Sequence, residues 1–229
     1  MERTGKAAAA EFIATFALVF VGVGAALMHA AGELDLTGVA LASGFVLAVF
    51  MTVTMPISGG LVNPAVAVGL WTTGRIPTRR AAALIVAELA GAVAGALLLK
   101  LVLPSELFDH GRGGIPLLAP GITAGKGILI EATGAFFWVF AVFGTVVDDR
   151  ERWAKPAGLI VGLVLAFDIM AFGPLTGAAV NPARWLGSAV AANNYTNWYV
   201  WIIGPVAGGI MAAVVYWFAF LRDRQPATP

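Results

Sequence analysis

The chain has 229 residues, 59% of them hydrophobic and only 12% charged, and its 14 Lys and Arg nearly cancel its 13 Asp and Glu. A soluble domain carries about 25% charged residues, so a mean hydropathy of +0.87 marks a membrane protein. The balanced charge leaves no basic surplus for a nucleic-acid backbone, and no Cys with only two His excludes disulfides, thiolate chemistry and Cys/His metal sites. No phosphate loop, and no nucleophile with a base partner, can be assembled, so neither an enzyme nor a bound cofactor is expected.

A helix crossing the hydrocarbon core needs about 20 apolar residues. In chain order, the stretches 7–31, 37–57, 81–103, 126–147, 155–173 and 198–221 predict six spanning helices, an all-α membrane bundle. The first is too long for a cleaved signal peptide and carries Glu11 near its start. Two further stretches, 63–73 (NPAVAVGLWTT) and 181–191 (NPARWLGSAVA), are helical in pattern but span about half a membrane. They predict half-helices, because Asn caps the first free N–H groups and Pro at the next position lacks the N–H that would go unbonded.

A Gly- and Pro-rich loop over 104–125 separates the third and fourth spans. His29 and His110 sit at or beyond span ends and read as solvated, while Trp198, Tyr199 and Trp201 read as an interfacial belt. With a cytoplasmic N-terminus, that side receives Arg3, Lys6, Arg75, Arg79, Arg80, Arg150, Arg152, Lys155, Arg222 and Arg224, leaving Lys100, Arg112 and Lys126 outside. Both termini are therefore expected in the cytoplasm of a cell whose inner, plasma membrane holds the protein.

The chain also repeats itself. AAAEFIATFALVF (8–20) resembles ILIEATGAFFWVF (128–140), placing Glu11 over Glu131; SGGLVNPAV (58–66) matches TGAAVNPAR (176–184), and GAVAG (91–95) matches GPVAG (204–208). Each half, about 7–103 and 126–221, holds three spans, an odd number, so the halves insert with opposite orientation within one transmembrane domain covering 1–229. The half-helices then approach from opposite faces with their Asn N-termini meeting near the midplane. Each such terminus carries about half a positive charge, which repels cations and hydronium at the junction.

Across roughly 7–221 the sequence resembles the aquaporins, or major intrinsic proteins. The resemblance rests on Asn63-Pro64-Ala65 and Asn181-Pro182-Ala183, on Arg184 after the second triplet, and on the paired Glu11 and Glu131. It implies passive conduction of water or small uncharged solutes through one pore per subunit of a homotetramer held in lipid. Asn63 and Asn181 would donate N–H groups to the solute, Glu11 and Glu131 would brace the unwound segments, and Arg184 would stand in the outer constriction.

The family's spacing places three further constriction positions at Ser43, Ile169 and Ala178. Strict water channels have an aromatic residue and a His in this ring, and glycerol facilitators have two aromatics; neither pattern is present. A Ser43/Ile169/Ala178/Arg184 ring most resembles those of nodulin-like intrinsic proteins and their bacterial relatives, which implies water and glycerol, urea, boric or arsenious acid as solutes. Trp185 replaces the Asp of glycerol facilitators, and Glu88 stands where the family usually has Gln. Asp168, next to Ile169, points about 100° away from it around the helix, which favours packing over lining the pore. The alternatives are a water-selective aquaporin, a glycerol facilitator and, more remotely, a secondary active transporter, which also uses inverted repeats and broken helices.

Overall fold

A computed structural model describes residues 2–150 and 156–222, and their regular structure is entirely helical. Arg152, Lys155 and Arg224, counted above for orientation, lie outside the described residues. The long helices are α1 (Glu2–Ala30), α2 (Leu36–Thr54), α4 (Thr78–Val102), α6 (Ala124–Val142, continued by a π turn over Phe143–Val147), α7 (Ala157–Thr176) and α9 (Val200–Tyr216, continued over Trp217–Leu221). Among the described residues these six are long and apolar enough to cross a membrane. Two short helices, α3 (Pro64–Thr72) and α8 (Pro182–Ala192), are the predicted half-helices. At about 1.5 Å per residue neither could span a bilayer.

The loop between α4 and α6 is more ordered than its composition suggests, with a short helix α5 (Ser105–His110) and a 3₁₀ turn over Arg112–Gly114. The fifth span also runs further than predicted: α7 carries Pro174 in its last turn and stops only at Gly177, whose φ of +81° needs no Cβ.

Small residues set how closely the helices approach. A Cβ on Gly95 would lie 2.7 Å from the Phe16 carbonyl oxygen of α1, and one on Gly204 would lie 2.9 Å from the Ile128 carbonyl oxygen of α6. The α1–α4 and α6–α9 contacts are thus equivalent contacts of the two repeats, each closed by glycines in place of bulky side chains. At the α2–α7 contact Gly162 stands close against Gly44 and Ala48. The outward faces carry Phe45, Val49, Val86, Leu101 and Leu163, as a lipid-facing bundle requires.

Candidate functional site

The half-helices begin as their sequences dictate. Asn63 Oδ1 accepts the Ala65 N–H at 2.9 Å, and Asn181 Oδ1 accepts those of Ala183 at 2.9 Å and Arg184 at 3.3 Å. Each Asn then reaches across to the other repeat: Asn63 Nδ2 donates to the Val180 carbonyl at 2.9 Å, and Asn181 Nδ2 donates to the Val62 carbonyl at 2.8 Å. The two N-termini therefore meet. A side-chain amide has two N–H bonds, so each Asn keeps one beyond this cross-brace.

The backbone leading into each Asn is strained, since Val62 (φ 55°) and Val180 (φ 45°) are β-branched residues in the left-handed region. Two buried acids hold it there. Glu11 Oε1 and Oε2 accept the N–H groups of Leu61 at 2.9 Å and Val62 at 2.7 Å. In the second repeat Glu131 accepts from the Thr176 hydroxyl at 2.7 Å, Ala179 N–H at 3.1 Å and Val180 N–H at 2.6 Å. One turn upstream the repeats match again: Ser58 Oγ accepts the Gly60 N–H and Thr176 Oγ1 accepts the Ala178 N–H.

Several partners were not foreseen. Glu88, fully buried on α4, accepts the Asn63 N–H at 3.1 Å, so it braces the same segment as Glu11. Trp201 is not part of an interfacial belt: it is fully buried, stacks on Trp185 and donates its indole N–H to the Thr176 carbonyl at 3.1 Å. Trp198, at 53% exposed, keeps the belt position. His110 is not simply solvated, since its Nε2 bonds the Ala30 carbonyl at 3.1 Å.

Ser43, Ile169, Ala178 and Arg184 come from four different segments, yet they line one cavity of about 290 Å³ together with Asn181. The cavity opens on the face that carries the α4–α6 connection, between the end of α1, the start of α2 and the end of α7. Gly22 faces Ser43 there, and a Cβ on it would sit 3.0 Å from the Ser43 hydroxyl. Arg184 Nη1 has no hydrogen-bond partner among the described residues. Trp138 and His29 also line this wall, although neither was singled out for it from sequence. Asp168 is buried outside the lining against Gly134, where a Cβ would stand 3.2 Å from its Oδ2. That agrees with the rotation expected from its neighbour Ile169. Asn63 is absent from this lining and lies on the far side of the junction.

On the face where α6 and α9 end, Asp148 accepts from the Tyr216 hydroxyl at 2.9 Å and from the Arg150 guanidinium, which holds its carboxyl below the usual carboxylate range. Among the described residues no cluster of three or more His, Asp or Glu could hold a metal ion.

Six spans, two facing half-helices and a lined cavity between them define a membrane channel. The sequence profile described as MIP: Major intrinsic protein matches residues 2–216, and the chain belongs to that family. It is 40% identical over 222 residues to Aquaporin TIP4-4 of Zea mays, covering 92% of this chain and 85% of the relative. It is 34% identical over 208 residues to Aquaporin NIP1-4 of Oryza sativa subsp. japonica, covering 90% and 74%. The fold matches the X-ray structure of the aquaglyceroporin from Plasmodium falciparum with a TM-score of 0.81 at 24% identity, over 93% of this chain and 95% of that one. The protein is therefore an integral membrane channel of a family that passes water and small solutes, and not an enzyme.

Proposed function

We propose that the protein is a passive pore for water and small uncharged solutes of the glycerol, urea, boric acid and arsenious acid type. The supporting observation is that Ser43, Ile169, Ala178 and Arg184 share one cavity wall with neither an aromatic ring nor an imidazole among the four. Such a ring is wide, with a polar edge at Ser43 and Arg184 and an apolar edge at Ile169 and Ala178. Arg184 and the remaining N–H bonds of Asn63 and Asn181 offer donors to solute oxygens, while Glu11 and Glu131 keep the unwound segments in shape. Ions and protons are excluded because α3 and α8 aim their positive ends at one junction and Arg184 adds a full charge beside it. Both repeats act as one unit over 1–229, joined by the 104–125 connection, with both termini cytoplasmic in the plasma membrane, as one subunit of a homotetramer.

A water-selective pore is the second reading, favoured by relatives named simply aquaporins. Replacing Ser43→Phe and Ile169→His together decides between them. On the proposal, uptake of glycerol and boric acid relative to water falls about tenfold in the double variant. An unchanged ratio would overturn the ring assignment.

A further inference from the structure

The pore reading leaves His29 unassigned, although its ring lines the cavity near the mouth, above Ser43 and Arg184. The position of this ring is fixed by its own turn. After α1 ends, the Gly32 N–H bonds the His29 carbonyl at 3.0 Å and the Glu33 N–H bonds the Met28 carbonyl at 3.0 Å, with Gly32 at φ +81°. That turn brings the Leu34 carbonyl to 2.7 Å from His29 Nδ1. A carbonyl oxygen can only accept, so Nδ1 carries the hydrogen, and in the neutral ring Nε2 is left with a free lone pair. The rim is held from the other side as well, by His110 Nε2 on the Ala30 carbonyl at 3.1 Å.

Side-chain acceptors are scarce in this lining, whose other acceptors are backbone carbonyls such as those of the unwound stretch Gly177, Ala178 and Ala179. Arg184 can only donate. Asn181 has its Oδ1 occupied by two N–H groups of α8 and one of its N–H bonds given to Val62, so it too can offer the lumen only a donor. Among the polar side chains of the wall, the acceptors are Ser43 Oγ within the ring and His29 Nε2 at the mouth. A polyol, urea or a trihydroxy acid such as boric acid carries both donors and acceptors. The carbonyls at Gly177 to Ala179 lie at the level of the ring, so at the mouth a solute whose acceptors alone were matched would hold unbonded O–H or N–H groups as it sheds water.

We infer that His29 is a specificity-determining residue, the acceptor that takes the first hydroxyl or amide hydrogen of a solute as it leaves the outer water for the ring. This inference rests on the proposed pore for polyols, urea and boric acid. Water gains less from it, because a single water molecule in the wide mouth keeps its other water partners while a bulkier solute does not.

The test uses full-length protein in proteoliposomes, measuring urea, glycerol and boric acid uptake and water flux on the same vesicles for the parent, His29→Ala and His29→Gln. The readout is the ratio of solute to water permeability, so that a loss of folded protein, which lowers both, does not enter. Ala enlarges the mouth and removes the acceptor, whereas Gln keeps an N–H for Leu34 and a carbonyl oxygen for the solute. The ratio is expected to fall about threefold in His29→Ala, one modest hydrogen bond, and to stay near the parent value in His29→Gln. A ratio that rises or is unchanged in His29→Ala overturns the inference, since a purely steric residue gives that sign. An equal fall in both variants overturns it too, by showing that an acceptor does not suffice. A parent that takes up none of the three solutes faster than empty vesicles overturns the pore reading, and this one with it.

Discussion

The two repeats solve one backbone problem with different side chains. Both must hold a left-handed valine and the residues before it in a membrane interior with little water to satisfy their N–H groups. The first repeat uses two acids, Glu11 on two amides and Glu88 on the third. The second gives three donors to Glu131 alone. Trp201, which occupies the position equivalent to Glu88, turns instead to the Thr176 carbonyl, while Arg80 Nη2 bonds the matching Ser58 carbonyl at 2.9 Å. The second repeat also carries Arg184 where the first has Val66. Inverted symmetry thus preserves the path of the backbone, and the chemistry of each half is free to diverge around it.

That contrast ranks the variants. Glu131→Gln is expected to do the most damage, because a side chain with one acceptor oxygen must replace one serving three donors; water flux per reconstituted protein should fall about tenfold or more. Glu11→Gln should cost less, and Glu88→Gln about twofold or less, since the amide retains the acceptor that Asn63 needs. Equal losses in the three variants, or the reverse order, would break the account of unequal braces.

Arg184→Val makes the second half-helix match the first, and is expected to raise proton leak through the vesicle wall about tenfold by removing a full charge beside the junction. A leak equal to that of the parent would mean that the paired helix ends suffice.

Smaller effects separate the two carbonyl anchors. Trp201→Phe leaves a fully buried carbonyl unpaired and should lower the thermal unfolding midpoint in detergent by about 5 °C, whereas Arg80→Met, partly open to water, should lower it by about 2 °C. Least of all, Asp148→Asn is expected to lower the midpoint by about 1 °C. Because the Asp148 carboxyl is held below its ordinary value, its contribution is complete above about pH 4 and fades only below that. The Asp148→Asn decrement should therefore be the same at pH 7 and pH 5; a decrement that vanishes at pH 5 would show that the clamp with Arg150 and Tyr216 is not what holds this end.

Much of this architecture was legible in the sequence because it is periodic or repeated. Apolar length marked the spans, Asn-Pro marked the half-helix starts, and the offset between the repeats paired Glu11 with Glu131. The structure brings Ser43, Ile169 and Ala178, the positions named from the family's spacing, to one wall with Arg184. The residues that escaped are those whose role depends on where a single side chain ends. Trp201 looks like its neighbour Trp198 in sequence, and only the helix rotation buries one and exposes the other. Glu88 differs from a lipid-facing error only because Asn63 lies against it. The Gly113 and Gly114 turn brings the 111–116 segment to the cavity, and the Gly32 turn brings the Leu34 carbonyl to His29, and neither path is coded by hydrophobic pattern.

The most direct test of the central claim is stopped-flow light scattering on proteoliposomes, comparing shrinkage in sucrose with re-swelling in glycerol, urea and boric acid against empty vesicles. The account predicts faster water efflux and faster entrance of the three solutes. Faster water with solute uptake no quicker than in empty vesicles would contradict it, leaving a channel narrower in action than the Ser43, Ile169, Ala178 and Arg184 ring implies.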